Sequence, residues 1–253
     1  MARPNRHLYS LAAVIVMATV GATPADAQSP RQRRVEISAN VGADTAASKF
    51  TASRTLASNG AENETISADH GVKNALGFDV GAAVRLAGPL WMGVQYAVTE
   101  MKPAASITAV IPHPILFNAP RTVEGSIDNL AHKEQNVHLN LMYALPMNAV
   151  DVRLMAGPTF FNLKQDFVSG IAINETYPFD NATFASATTK RLSKGAVGFN
   201  AGVDVSRLLS SHVGIGALVR YSRADVKFDE PTIGRHTVTA GGVEAAGGLR
   251  LRF

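Results

Sequence analysis

The feature that most constrains this chain is a strict alternation of apolar and polar residues with a period of two, recurring eight times after residue 33. In the first run Val35, Ile37, Ala39, Val41 and Ala43 share one face, and Glu36, Ser38, Asn40 and Gly42 share the other. The same scheme returns from Leu76 to Leu86, Leu90 to Val98, Asn136 to Leu145, Val150 to Phe160, Val197 to Ser206, Val213 to Ser222 and Val243 to Phe253. Each run has about ten residues, the length a tilted strand needs to cross a bilayer. The pattern puts Trp91, the one tryptophan, on a polar face.

Alternation alone also suits a soluble β-sandwich, and two further features separate the cases. Short connections, Ala87-Gly88-Pro89, Pro146-Met147-Asn148 and Ser210-Ser211-His212, alternate with long ones at 44–73, where the length also leaves room for an extra hairpin above the membrane, 103–128 and 168–188 and a shorter one at 229–236. Tight turns on one side and long loops on the other are the habit of membrane barrels. The polar faces also carry charge of both signs: Glu36, Asp79, Asp204 and Glu244 against Arg85, Arg153, Arg220 and Arg250. Unpaired charges in a sandwich core are costly, whereas an eight-stranded barrel has an interior that such side chains just fill. The expected fold is therefore all-β, an eight-stranded antiparallel up-and-down transmembrane β-barrel. Its lumen is expected to hold those eight charged residues as an interleaved network, closed or poorly conducting.

The first residues read as an export signal. Arg3 and Arg6 precede an apolar stretch from Leu11 to Ala22, and Ala25-Asp26-Ala27 fits a small-x-small cleavage site. Residues 1–27 are expected to be a signal peptide and 28–253 the barrel. After residue 30 no apolar stretch is long enough for a membrane helix. The net charge of +4 comes from scattered basic residues without an aromatic-interleaved basic run, which argues against a nucleic-acid partner. With no cysteine, thiolate metal sites and cysteine nucleophiles are excluded.

The sequence closes on Leu249-Arg250-Leu251-Arg252-Phe253. This resembles the C-terminal signature of bacterial outer-membrane proteins, with Leu249, Leu251 and Phe253 as its apolar residues. The chain from 28 on is similar to the small eight-stranded group whose members include the OmpA transmembrane domain, OmpX and OmpW. Two loop segments, Pro112 to Arg121 and Glu175 to Asp180, resemble those of proteobacterial outer-membrane barrels with no assigned activity. The resemblance implies the outer membrane of a Gram-negative bacterium. It also implies the barrel-assembly machinery, outer-membrane lipids and lipopolysaccharide as partners, and no cofactor.

A surface ligand is the remaining expected partner. Pro112 and Pro114 stiffen the chain around His113, and His113, Phe117, Arg121, Tyr177 and Phe179 are the candidate loop residues for binding. The apolar groups there suit either a partner surface or a cap over the barrel mouth. His138 is expected as a packing residue of the lumen. His70, His113, His132 and His236 show no metal-ligand spacing, so no metal is expected. Ser193, Ser222, His132, His236 and Asp225 could gather at the outer rim, but no spacing forces a Ser/His/acid set together, so no enzyme is expected. The first expectation is a structural or binding protein acting through its surface loops. The alternatives are a narrow channel for small or hydrophobic solutes and, last, a lipid-modifying enzyme.

Overall fold

The computed structural model describes residues 34–46, 50–58, 62–71, 74–145, 147, 150–231 and 233–253. The expected signal peptide lies outside them. Twelve strands are present: β1 (Val35–Ala46), β2 (Phe50–Ser58), β3 (Glu62–His70), β4 (Asn74–Ala87), β5 (Leu90–Met101), β6 (Ala105–Ile111), β7 (Arg121–Ile127), β8 (His132–Leu145), β9 (Asp151–Glu175), β10 (Ala182–Leu208), β11 (Val213–Glu230) and β12 (Gly234–Arg252). Eight close into an antiparallel ring in the order β1-β12-β11-β10-β9-β8-β5-β4. The ring closes where β12 meets β1, with Glu36 opposite Arg252 and the backbone N–H groups of Arg34 and Val35 donating to the Phe253 carbonyl at 2.8 and 3.1 Å.

The alternation falls in the register expected. Ile37, Val41, Phe78, Leu139, Leu141, Val205, Leu249 and Leu251 point out and are exposed, whereas Asp79, Asn140, Arg220 and Arg250 are buried inside. An outward apolar face around a closed ring removes all sheet edges and suits acyl chains. Tyr96, Phe160, Phe199 and Tyr221 stand outward near the end of this belt away from the short turns, and the Phe199 and Tyr221 rings lie 6.0 Å apart. Trp91 faces inward, as expected, with the Arg153 guanidinium 4.5 Å over its ring.

One lipid-facing position breaks the ladder. Pro158 has no N–H to give β8, and no regular pairing joins β8 and β9 at Leu139 and Asn140. Gly157 absorbs the resulting distortion: a Cβ there would lie 1.8 Å from the Leu139 carbonyl oxygen, so any larger residue collides with backbone.

The regions expected as loops are mostly strand. Segment 44–73 contains the β2–β3 hairpin and segment 103–128 the β6–β7 hairpin, which join as a second sheet in the order β2-β3-β6-β7. Segment 168–188 is the far end of β9 and β10, with only 176–181 left as a tip. The second sheet packs on this long ribbon: Ile66, Ile107, Ala109 and Val123 bury against Val168, with Ile171 and Phe184 beside them. A second apolar cluster fills the mouth of the barrel, where Phe161, Leu163, Phe167, Val226, Phe228, Val238 and Ala240 are buried together with Ala52 of β2. Period-two apolar residues thus continue past the membrane belt and build a distal β platform.

Candidate functional site

Two regions concentrate chemistry: the polar lumen and the distal tip. In the lumen the charges sit in tiers. Near the short turns Arg153 donates to both Glu36 oxygens, with Nη1 to Oε1 at 2.6 Å. Arg252 also donates to Glu36, and to Asp151 and Ser206. In the next tier Arg250 bonds Asp204 and Asn40, and Asn40 Nδ2 donates to Asp79 at 2.7 Å. Above it Arg220 reaches Gln95 (2.8 Å), Asp79 (3.1 Å) and Glu244 (3.1 Å from Nε). His138 Nδ1 lies 2.8 Å from the Thr159 hydroxyl, which also accepts from Asn200 Nδ2 at 3.0 Å. Asp44 accepts from Thr99 at 2.9 Å, and Glu134 accepts from the Gly241 N–H at 3.0 Å. The apolar cluster of the mouth closes the column.

Seven of the eight expected lumen charges are tied together in these tiers. For Arg85, two residues before the end of β4, the bond seen is to the turn, with Nε donating to the Gly88 carbonyl at 2.6 Å. Arg252, inward by parity, joins the network although it was not among the eight residues expected in it. A cavity bounded by Glu36, Arg153, Asp204 and Arg250 measures about 10 Å³, room for about one water. Hydrogen-bonded tiers and the apolar cluster of the mouth lie on either side of it along the lumen.

At the distal tip the two Pro-and-aromatic segments, fifty residues and more apart in sequence, come together. Arg121 opens β7 and clamps them. Its Nη1 donates to Glu175 at 2.7 Å and to the Phe179 carbonyl at 2.6 Å, and its Nη2 donates to the Pro112 carbonyl at 3.0 Å. His113 is buried; its Nδ1 accepts the N–H of Leu116 at 2.9 Å and of Ile115 at 3.2 Å, and its Nε2 lies 3.7 Å from Asp180. That turn projects Ile115, Leu116 and Phe117 into solvent. Tyr177 is 78% exposed, and its ring meets that of Phe179 at 6.0 Å. Phe179 holds φ at 73°, a left-handed conformation that costs a bulky residue on the order of 1 kcal/mol. Arg121 and the Phe179 N–H, bonded to the Thr176 carbonyl at 2.8 Å, hold it there. Of the five candidate residues, His113 and Arg121 are the frame, and Phe117 and Tyr177 lie on the displayed surface with Phe179 beneath. The mouth is capped by other residues, the Phe167 and Phe228 cluster.

Three of the residues considered for catalysis are engaged separately, while Ser222 is buried beside Gly241, whose N–H donates to Glu134, the neighbour of His132. Ser193 Oγ donates to Asn162, His236 Nε2 meets the Ile233 carbonyl, Asp225 accepts from Thr239, and His132 lies between Gln165 and Glu134. Among the described residues no group of histidines and carboxylates has the arrangement to hold a metal ion.

Sequence reasoning missed a third cluster. His70 at the end of β3 is stacked on Phe50 with ring centroids 4.3 Å apart, and edge-on to Phe167 at 6.2 Å; neither ring nitrogen has a protein partner. Burial, with His132 and His236 nearby, pushes its pKa down to about 4.

No family model and no curated protein matches this chain. Solved structures do. Neisserial surface protein A aligns over 87% of this chain and 97% of its own at 14% identity, with a TM-score of 0.44. The outer membrane protease OmpT of Escherichia coli aligns over 90% and 99% at 11% identity and 0.47. Ail, the attachment invasion locus protein of Yersinia pestis, aligns over 86% and 99% at 12% identity and 0.39. All three are small outer-membrane barrels. The likeness is one of fold and carries no activity across.

Proposed function

We propose that this protein is an outer-membrane barrel whose filled lumen serves as an anchor and whose distal β platform presents an apolar tip to a partner at the cell surface. The observation that carries the reading is the exposure of Ile115, Leu116, Phe117 and Tyr177 on one rigid tip framed by Arg121. Large apolar groups held out in water by a frame of part-buried polar bonds are a feature of interaction sites rather than of packing. The channel reading has the filled lumen against it. The bonds made by Ser193, Asp225 and His236 give the lipid-modifying reading no support. Leu249, Leu251 and Phe253 remain outward, where an assembly factor reading the last strand could meet them.

The test displays the protein on a Gram-negative host and measures attachment of the cells to surfaces coated with serum and matrix glycoproteins. Serine at positions 115, 116, 117 and 177 is expected to lower attachment about tenfold or more, with the amount of heat-modifiable barrel unchanged. Attachment equal to that of the original protein, or steady single-channel conductance of the original protein in planar bilayers, overturns the reading.

A further inference from the structure

The outward wall of β8, β9 and β10 changes character just beyond the aromatic belt. Tyr96, Val137, Phe160 and Val197 are cross-strand neighbours on the lipid-facing side. One row further out come Val98, Gln135, Asn162 and Gly195; Gln135 donates back to the Tyr96 hydroxyl at 2.8 Å and Asn162 accepts from Ser193 of the next row at 3.2 Å, so polar side chains end the apolar belt on β8 and β9. The row beyond it reads Glu100, Lys133, Lys164, Ser193. Lys133 and Lys164 are thus directly opposite each other on one face, an arrangement that destabilises a sheet unless an anion lies between them. Glu100, 3.2 Å from Lys133, is itself half exposed and offsets little. Lys164 has no carboxylate partner among the described residues.

Arg191 follows on β10, opposite Asp166. It donates to both Asp166 oxygens at 2.7 and 2.9 Å, yet keeps its guanidinium largely in solvent. Lys102, just past the end of β5, is exposed as well.

Height identifies the ligand. Lys133 and Lys164 lie four residues beyond Val137 and Phe160, about 13 Å along the strands and roughly 10 Å along the membrane normal after tilt. Interfacial aromatic residues mark headgroup level, and lysine stems let the ammonium group settle towards it. The anions concentrated at that level of a bilayer are headgroup phosphates.

We propose that Lys133, Lys164 and Arg191 form a site on the barrel wall for the phosphates of an outer-leaflet lipid. One phosphate bridges the two ammonium groups and relieves their repulsion, and the exposed face of Arg191 takes a second on the same headgroup. A lipid with two phosphates therefore binds better than one with a single phosphate. The site rests on the barrel's standing in a bilayer and is independent of the distal tip.

The test is native mass spectrometry of the folded protein released from uncharged detergent micelles, with diphosphoryl lipid A, monophosphoryl lipid A, phosphatidylcholine or inorganic phosphate added. The diphosphoryl lipid is expected to be retained about tenfold better than phosphatidylcholine, with the monophosphoryl lipid between them. Lys133→Gln with Lys164→Gln is expected to remove most of that difference, about tenfold, whereas Lys227→Gln with Arg235→Gln, the same charge change on the distal ribbon, leaves it intact. If the double variant fails to fold, Lys164→Gln alone carries the test with a loss of about threefold or more. Equal losses in the control pair, equal retention of phosphatidylcholine, or displacement of the lipid by inorganic phosphate at matched concentration overturns the proposal.

Discussion

Replacing Arg220 with alanine is expected to cost about 3–5 kcal/mol of barrel stability. Arg220 is 1% exposed and holds Asp79, Glu244 and Gln95 at once. Removing it leaves Asp79, wholly buried, with only Asn40 as hydrogen-bond donor, and leaves Glu244 facing it without a cation between them. Breaking one side of a buried pair is worse than deleting both, because the surviving charge is stranded out of water. Arg220→Met combined with Asp79→Asn should therefore recover a good part of the loss. Urea midpoints for refolding into bilayers, followed by gel mobility before and after boiling, measure both effects. A double variant no more stable than Arg220→Ala would contradict the coupling.

The second large effect is a response to acid at the barrel mouth. His70 is neutral in the folded protein at pH 7, with a pKa depressed to about 4 from the ordinary 6.5. A depressed histidine contributes stability that is present above pH 6.5 and is lost as the pH falls from there through 4. The size is roughly 3 kcal/mol, enough to open a docked hairpin locally without unfolding the barrel. The charged groups facing His70 reinforce the direction. Burial works against a charge on His132, but its bonds to Glu134 and Gln165 outweigh that and raise its pKa, so it is already positive when His70 titrates. Asp69, exposed, adds an attraction weaker than the repulsion from His132, and His236 a smaller repulsion still. Spin labels at Asn63 and Thr237 should report one narrow distance distribution at pH 7.5 and a broad one at pH 4.5. His70→Phe, which keeps the stack on Phe50, should stay narrow at both. A wild-type distribution unchanged between the two pH values would remove His70 from the account.

How much of this was readable in the sequence depends on where the physics is local. The inward or outward sense of Asp79, Trp91, Arg153 and Arg220 follows from parity along one strand, because the pleat fixes it once either face is known. The distal platform was hidden for two reasons. Its hairpins, such as β2–β3 from Phe50 to His70, are short and bounded by polar residues, so they read as loop. Their apolar residues, Ile66 and Ile107 among them, bury against each other and against β9 and β10, the latter some sixty to a hundred residues further on. The Arg121 clamp was legible as a residue but not as a geometry, since nothing in the sequence brings Pro112 and Phe179 to one guanidinium. Arg85 shows the converse: parity placed it correctly, and the bond seen is still to the neighbouring turn.

Nitroxide accessibility tests the central claim, that the apolar stripes face acyl chains around a filled polar column. Labels placed one at a time at Leu139, Val203 and Leu251, in protein reconstituted into bilayers, should collide readily with oxygen and hardly at all with a water-soluble nickel chelate. A label at Thr237, on the distal ribbon, should show the reverse. If the three wall positions instead met the nickel chelate as freely as Thr237 does, the belt would lie in water and the barrel would not be a membrane anchor.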